Sequence, residues 1–329
     1  LTTFPYIDLS KGITFVSTWK GCTGLTSFPQ LDMAKAQNLS GAWKNCTGLT
    51  SFPAINFPEC QYFSTVIPLD SNYTAFETNG AWENCTGLTS FPNIDVSKGT
   101  LFSATWKGCT GLTSFPSLNF STATDIGNPL GGAWEGCTSL TSFPAAIFDN
   151  CQIYKAQRAW QNCTSITSFP AVNLSSCRNF SYTWRGCSNM TYFGQVNVSQ
   201  GQQFYGTWAG CSSLVTFPAL DFSSAYAFGY FYWWWWYTEE AIGAWQDCTS
   251  LANFPPNSFD NCPSNQFNKA WYNCALTQQS VDNILISLDT AGQYYGRVGL
   301  NGGTSSPPGA AGQAAIASLQ SKGWTVLTN

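Results

Sequence analysis

The chain has 329 residues, of which 44% are hydrophobic and 16% aromatic but only 9% charged. An average soluble domain carries about 25% charge, so the surface polarity here must come from Ser, Thr, Asn, Gln and Gly, a mix commoner in extracellular and virion proteins than in cytosolic enzymes. Thirteen scattered basic residues and a net charge of −4 leave no footprint for nucleic acid or an anionic membrane surface. No apolar run reaches the roughly 20 residues of a membrane span, Ala225 to Tyr237 being too short and too aromatic.

The opening Leu1-Thr2-Thr3-Phe4-Pro5 is the back half of a motif that recurs later, so the numbering starts inside a repeat and we expect the chain to continue upstream. Trp-x-x-Cys then occurs ten times, at Trp19, Trp43, Trp82, Trp106, Trp134, Trp160, Trp184, Trp208, Trp245 and Trp271. The commonest step is 24 residues, as from Trp19 to Trp43, a length within the leucine-rich-repeat range. After each Cys an apolar residue follows at +3 (Leu25, Leu49, Leu88), a Phe at +6 (Phe28, Phe52, Phe91) and another apolar residue at +11 (Met33, Phe57, Val96). These groups must share one core. The burial available to one coil falls well short of its backbone ordering entropy, so coils must stack and be capped. The segment Cys-Thr-Gly-Leu-Thr-Ser-Phe-Pro reads as the strand, ended by prolines such as Pro29 and Pro53. At about 4.8 Å per coil, ten coils predict a rod or gentle arc about 45–50 Å long.

Two steps are long: 39 residues from Trp43 to Trp82 and 37 from Trp208 to Trp245. Both insertions enter at one register and are expected to protrude on the same side, which in repeat arrays is often the binding face. The first contains Tyr62, Phe63, Tyr73 and Phe76. The second carries Tyr230 to Tyr237 and then Glu239 and Glu240. Aromatics beside carboxylates suit a sugar, so Tyr73, Phe76, Tyr232, Trp233, Trp234, Trp235, Trp236, Tyr237, Glu239 and Glu240 are the candidate ligand-binding residues. Glu239 and Glu240 as a glycosidase pair is the enzymatic alternative, but neighbours on a strand point to opposite faces and would not straddle a glycosidic bond.

After Cys274 the pattern changes. Val281, Ile284, Leu285 and Leu288 lie at helical spacing behind a Thr277 cap. A second helix is predicted from Ala310 to Lys322, closing at Gly323, with a last strand from Trp324 to Leu327. Residues 277–329 therefore read as a small α/β module that closes a 1–276 solenoid of about ten coils and blocks edge-to-edge aggregation.

Ser40-Gly41-Ala42-Trp43-Lys44-Asn45-Cys46-Thr47-Gly48-Leu49-Thr50-Ser51 resembles the repeat of the BspA-like leucine-rich proteins, including the bacterial surface-protein repeat, although those repeats usually carry Phe where this chain has Trp. The resemblance covers Leu1 to about Leu276 and rests on tenfold recurrence. It implies a solenoid on bacterial, protist or phage surfaces that serves adhesion and recognition. The closing segment resembles the one that follows such repeats in some phage and bacterial surface proteins.

The remaining chemistry reads mostly as structure. Ten of the fourteen cysteines belong to Trp-x-x-Cys. Cys60, Cys151, Cys177 and Cys262 share a register with Ala36, Gly99, Ala123, Gly201 and Ala225, so we expect buried free thiols in preference to disulfides or metal. With no histidine, the usual general base is missing. Asp8, Asp32, Asp95 and Asp221 alternate with Asn56, Asn119, Asn173 and Asn197, as expected of side chains bonding to neighbouring backbone. Ten Asn-x-Ser/Thr sites include Asn45, Asn84 and Asn162 inside the repeat, and rows such as Thr26-Ser27 and Thr50-Ser51 form a hydroxyl ladder with ice or mineral as a minor reading. The expectation is a non-enzymatic surface or virion module with no cofactor. Its partners would be a host-surface receptor or glycan, neighbouring virion or envelope proteins, or further copies of itself.

Overall fold

The computed structural model describes residues 4, 7–69, 76–229 and 242–329, which fall into two compact units, Leu1–Ile166 and Thr167–Asn329. Short strands, turns and loops dominate both units.

In the first unit, successive Trp-to-Trp segments stack in parallel through the chain Thr14, Asn38, Tyr62, Leu101, Asp125 and Lys155, each bridged to the next. Backbone donors of one coil reach the carbonyls of the following one. Phe15, Ser17, Trp19 and Gly21 donate to Asn38, Ser40, Ala42 and Lys44 at 2.8–3.0 Å. Trp43, Trp82, Trp106 and Trp134 repeat the Trp19 bond to Ala81, Thr105, Ala133 and Ala159. This ladder lies just ahead of the Trp, where the sequence suggested loop.

The predicted strand after each Cys is only a sparse ladder. Thr50 N–H reaches Thr26 O at 3.1 Å and Thr113 N–H reaches Thr89 O at 3.2 Å, with one bridge, Ser27 to Ser51, among the described residues of this unit. The reason is spacing. Leu25 and Phe28 are buried while both residues between them face solvent, which a pleat of period two does not allow.

Three antiparallel or short paired segments depart from the plain coil. β1 (Ser64–Pro68) pairs with β2 (Phe76–Gly80) as a hairpin. β3 (Asp125–Asn128) pairs antiparallel with β4 (Gly131–Gly132) and parallel with β5 (Lys155–Ala156). Each coil turns on a left-handed residue just before its Cys: Gly21, Asn45, Asn84, Gly108, Gly136 and Asn162 all have φ between 59° and 77°. Gly takes that conformation without strain and Asn at less cost than most other residues, which accounts for the Gly/Asn alternation. The Asn-Cys-Thr sites at Asn45, Asn84 and Asn162 thus follow from backbone geometry.

The core of this unit is built of columns. Trp19, Trp43, Trp82, Trp106, Trp134 and Trp160 stack with ring centroids 5.1–5.9 Å apart and planes within 18°. Phe52, Phe91, Phe115 and Phe143 meet these rings edge-on at 4.8 Å, the favoured aromatic geometry. The thiols of Cys46, Cys85, Cys109, Cys137 and Cys163 donate to Trp19 O, Trp43 O, Trp82 O, Trp106 O and Trp134 O of the preceding coil at 3.0–3.2 Å. A thiol is small enough to bury and still supplies a weak donor to each carbonyl. All fourteen cysteines are thiols outside any disulfide, and all but Cys22 and Cys151 are buried.

In the second unit β6 (Ser168–Phe169) pairs with β7 (Tyr192–Phe193), and Trp184, Trp208, Trp245 and Trp271 stack at 5.0–5.8 Å. β8 (Gln266–Phe267), β9 (Arg297–Gly299) and β10 (Thr325–Leu327) form a parallel sheet in the order β10-β9-β8. α1 (Gln278–Thr290) starts at Thr277, whose side chain accepts the Ser280 N–H, and buries Val281, Ile284, Leu285 and Leu288. α2 (Ala310–Ser321) packs on it, and Gly323 turns the chain at φ 83° into β10. The helices, their cap and the last strand lie where the sequence predicted them. Ser280 Oγ and Ser287 Oγ accept the N–H groups of Phe254 and Phe259, and Gly299 O accepts that of Trp271, so the module supplies acceptors that a further coil would otherwise provide.

Trp106→Ala should cost about 3–5 kcal/mol in urea unfolding. Trp106→Phe should cost less than half of that, because it keeps the stack and removes an indole N–H that finds no hydrogen-bond partner. Burial pushes the Cys46 thiol up to about 11 and those of Cys60, Cys137 and Cys248 up to about 12. Unfolded thiols ionise near about 8.5. Stability is therefore complete below that pH and declines as pH rises towards the folded values. Urea midpoints that stay flat between pH 8 and 10.5 would contradict this.

Candidate functional site

Of the predicted site residues, Phe76 is described, at the start of β2. Tyr73, Tyr232, Trp233, Trp234, Trp235, Trp236, Tyr237, Glu239 and Glu240 lie outside the described residues. The structure adds a third insertion that the sequence reading missed. The step from Trp106 to Trp134 is 28 residues long, and its extra residues form the β3–β4 hairpin. In the first unit the two hairpins follow the same ladder position, after Tyr62 and Asp125 respectively.

A local signature marks the inserted coils. Gly80, Gly132 and Gly243, two residues before the Trp, approach the next coil so closely that a Cβ would fall 1.9–2.0 Å from the carbonyl oxygens of Ala104, Arg158 and Lys269. Their N–H groups donate to Glu83 Oε2, Glu135 Oε2 and Gln246 Oε1, one residue after the Trp, at 3.0–3.2 Å. Plain coils instead place a left-handed residue there, such as Ser17, Ala104 or Lys269. Gly-x-Trp-Glu/Gln is therefore a legible sign of an insertion.

The β1–β2 hairpin is polar below and apolar above. Beneath it, Lys44 Nζ lies 3.2 Å from Glu83 Oε2 and 3.6 Å from Glu77 Oε2, and donates to Thr78 O. Lys44 and Glu83 are each 5% exposed. Lys20 Nζ reaches Glu77 Oε1 at 3.2 Å, and Thr78 Oγ1 donates to Glu83 Oε1 at 2.9 Å. Burial by itself raises the Glu77 carboxyl, but the bond from Lys20 and the charge of Lys44 outweigh it and hold the group below the usual range. At the second hairpin Lys107 pairs with Glu135 at 3.5 Å and donates to Leu130 O at 2.9 Å. The outer faces carry exposed Val66, Leu69, Phe76 and Leu130.

Other rows are structural. Asp8, Asp32, Asp95, Asn119, Asn173, Asn197 and Asp221 each accept the N–H two residues on at 2.9–3.2 Å. The hydroxyls of Thr50, Thr89, Thr113 and Thr141 donate to the carbonyl of the preceding threonine in the row, so their protons point along the ladder and not outward. Asp125 is raised by burial and accepts from Ser103 Oγ and Gly127 N. In the closing module Tyr294 and Tyr295 stand exposed, Tyr295 at 80% and with φ 55°, a surface aromatic pair that its Gln-Tyr-Tyr-Gly context did not single out. Among the described residues no group of three or more His, Cys, Asp or Glu could hold a metal ion, and no helix is long and apolar enough to cross a membrane.

The chain is similar to the functional domain of InlJ from Listeria monocytogenes, whose structure is described as including a cysteine ladder. Identity is 12% over 84% of this chain and 68% of that one, with a TM-score of 0.17. No protein-family model and no curated protein matches the chain.

Removing one partner of a buried ion pair leaves the other charge uncompensated. Lys44→Ala should therefore cost about 3–5 kcal/mol in urea unfolding, whereas Lys44→Met combined with Glu83→Gln should cost clearly less than that single change. A double variant as unstable as Lys44→Ala would show that packing, not charge, dominates at this position.

Proposed function

We propose that this chain is a non-enzymatic leucine-rich-repeat solenoid of an extracellular surface, either a virion appendage or a cell-surface protein, whose insertions recognise a receptor or glycan. The observation that carries the reading is the division of labour in the β1–β2 hairpin. Its described carboxylate, Glu77, is spent on Lys20 and Lys44, while Val66, Leu69 and Phe76 are exposed. An apolar surface held on a fixed scaffold is suited to stacking and contact, whereas a hydrolase needs carboxylates free to reach a scissile bond. The low charge of the whole chain and the absence of histidine favour the same reading. So does the resemblance of the repeat to surface proteins.

Contact through Val66, Leu69 and Phe76 should depend little on salt, because these exposed groups are uncharged. A glycan array and a pull-down from host envelopes, both run with the folded chain, test it directly. Replacing residues 65–79 by a short Gly-Ser link, or deleting 229–242, should abolish or weaken the captured signal. Retention of full binding by both deletion variants would remove the insertions from the recognition role. Copurification with particles in fixed stoichiometry distinguishes a virion protein from an anchored adhesin.

A further inference from the structure

In a stack of repeats each coil ordinarily touches only its neighbours. The β1–β2 hairpin breaks that rule. It leads into Trp82 of the third coil, yet Glu77 reaches back to Lys44, beside Trp43 of the second, and at 3.2 Å to Lys20, beside Trp19 of the first. Asn79 Nδ2 donates to Ser17 Oγ, also of the first coil, at 3.3 Å. Gly41 is what lets the strand lie so low, since a Cβ there would fall 2.1 Å from Asn79 Oδ1. On the other side, a Cβ on Gly131 of β4 would sit 3.1 Å from the Thr78 methyl, so the hairpin also abuts the insertion of the fifth coil.

We propose that the β1–β2 hairpin is a strap that clamps the first coil of the Leu1–Ile166 unit to the third, with Glu77 as its latch and the buried Lys44–Glu83 pair as its anchor. A two-stranded hairpin is marginal by itself, so its ordered state depends on what it grips. The latch and the anchor differ in their environment. Glu77 and Lys20 are each about a third exposed, whereas the side chains of Lys44 and Glu83 are 6% and 7% exposed. Ionic strength therefore weakens the latch far more than the anchor. The charged groups facing Glu77 are Lys20 and Lys44, with Glu83 behind Lys44. Because the Glu77 carboxyl is held below its usual range, the latch is closed above that range and opens as pH falls through the lowered value. With the latch open, the coil of Trp19 loses this contact beyond its neighbour and opens more readily.

Amide hydrogen exchange on the full chain reads this directly at Phe15, Ser17, Trp19 and Gly21, the donors that tie the first coil to the second. Glu77→Gln should speed exchange at these four amides by about two- to fivefold and leave Trp106 and Gly108 unchanged. Sodium chloride at about 0.5 M should produce the same speeding in the wild type and add little in Glu77→Gln. Asn79→Ala should act in the same direction through the second contact. Glu59→Gln, which breaks only an exposed pair with Lys98, serves as the control and should change nothing. Faster exchange confined to the hairpin, uniform speeding throughout the unit, or no change at all would each overturn the strap.

Discussion

Everything in both units depends on the rise per coil. Backbone ladders fix that rise near the separation of neighbouring strands, about 4.8 Å. Flat groups repeat comfortably at such a spacing. Indole rings do so when stacked face to face, and the Trp43–Trp82 and Trp245–Trp271 pairs, at 5.2 and 5.0 Å with planes 4° and 6° apart, show the match. The Trp carbonyl accepts the N–H of its own Cys and the S–H of the Cys one coil on, so the ring column and the thiol column are parts of one hydrogen-bonded spine. A bulkier residue at the Cys position would push the coils apart, and a disulfide would remove the donor that the carbonyl receives.

Much of this was legible in the residues. Tenfold Trp-x-x-Cys, the apolar +3 and +6 positions and the Thr277-capped helix were each readable because they obey local rules of burial and capping. The strand position was not. Thr26 and Ser27 look like strand residues by type, yet the better ladder runs through Thr14, Asn38 and Tyr62, which share no residue preference at all. Main-chain pairing is indifferent to side-chain identity when one face is open, so composition carried no signal there. The third insertion hid for a different reason: four extra residues between Trp106 and Trp134 are few beside a 39-residue step, and only the close approach at Gly132 reveals them.

Of the candidate site residues, Phe76 alone lies among the described residues. Phe76 is exposed, as expected, but the Glu77 carboxylate beside it is held by Lys20 and Lys44, which lie 57 and 33 positions away in the sequence. No local window could have joined them. Their common register, one residue after each Trp, was the usable clue. The same column continues as Glu83, Lys107 and Glu135, alternating in sign where coils bear insertions.

The closing module has a bearing on how arrays of this type can vary. Ser280, Ser287 and Gly299 take up the protons of Phe254, Phe259 and Trp271, three donors that sit at repeating positions of the coil. The module reads backbone, which all coils share, and hardly at all the side chains that distinguish them. Gene duplication or loss of whole 24-residue blocks upstream would leave that junction intact. Length can then change by integral units without altering how the donors of Phe254, Phe259 and Trp271 are satisfied.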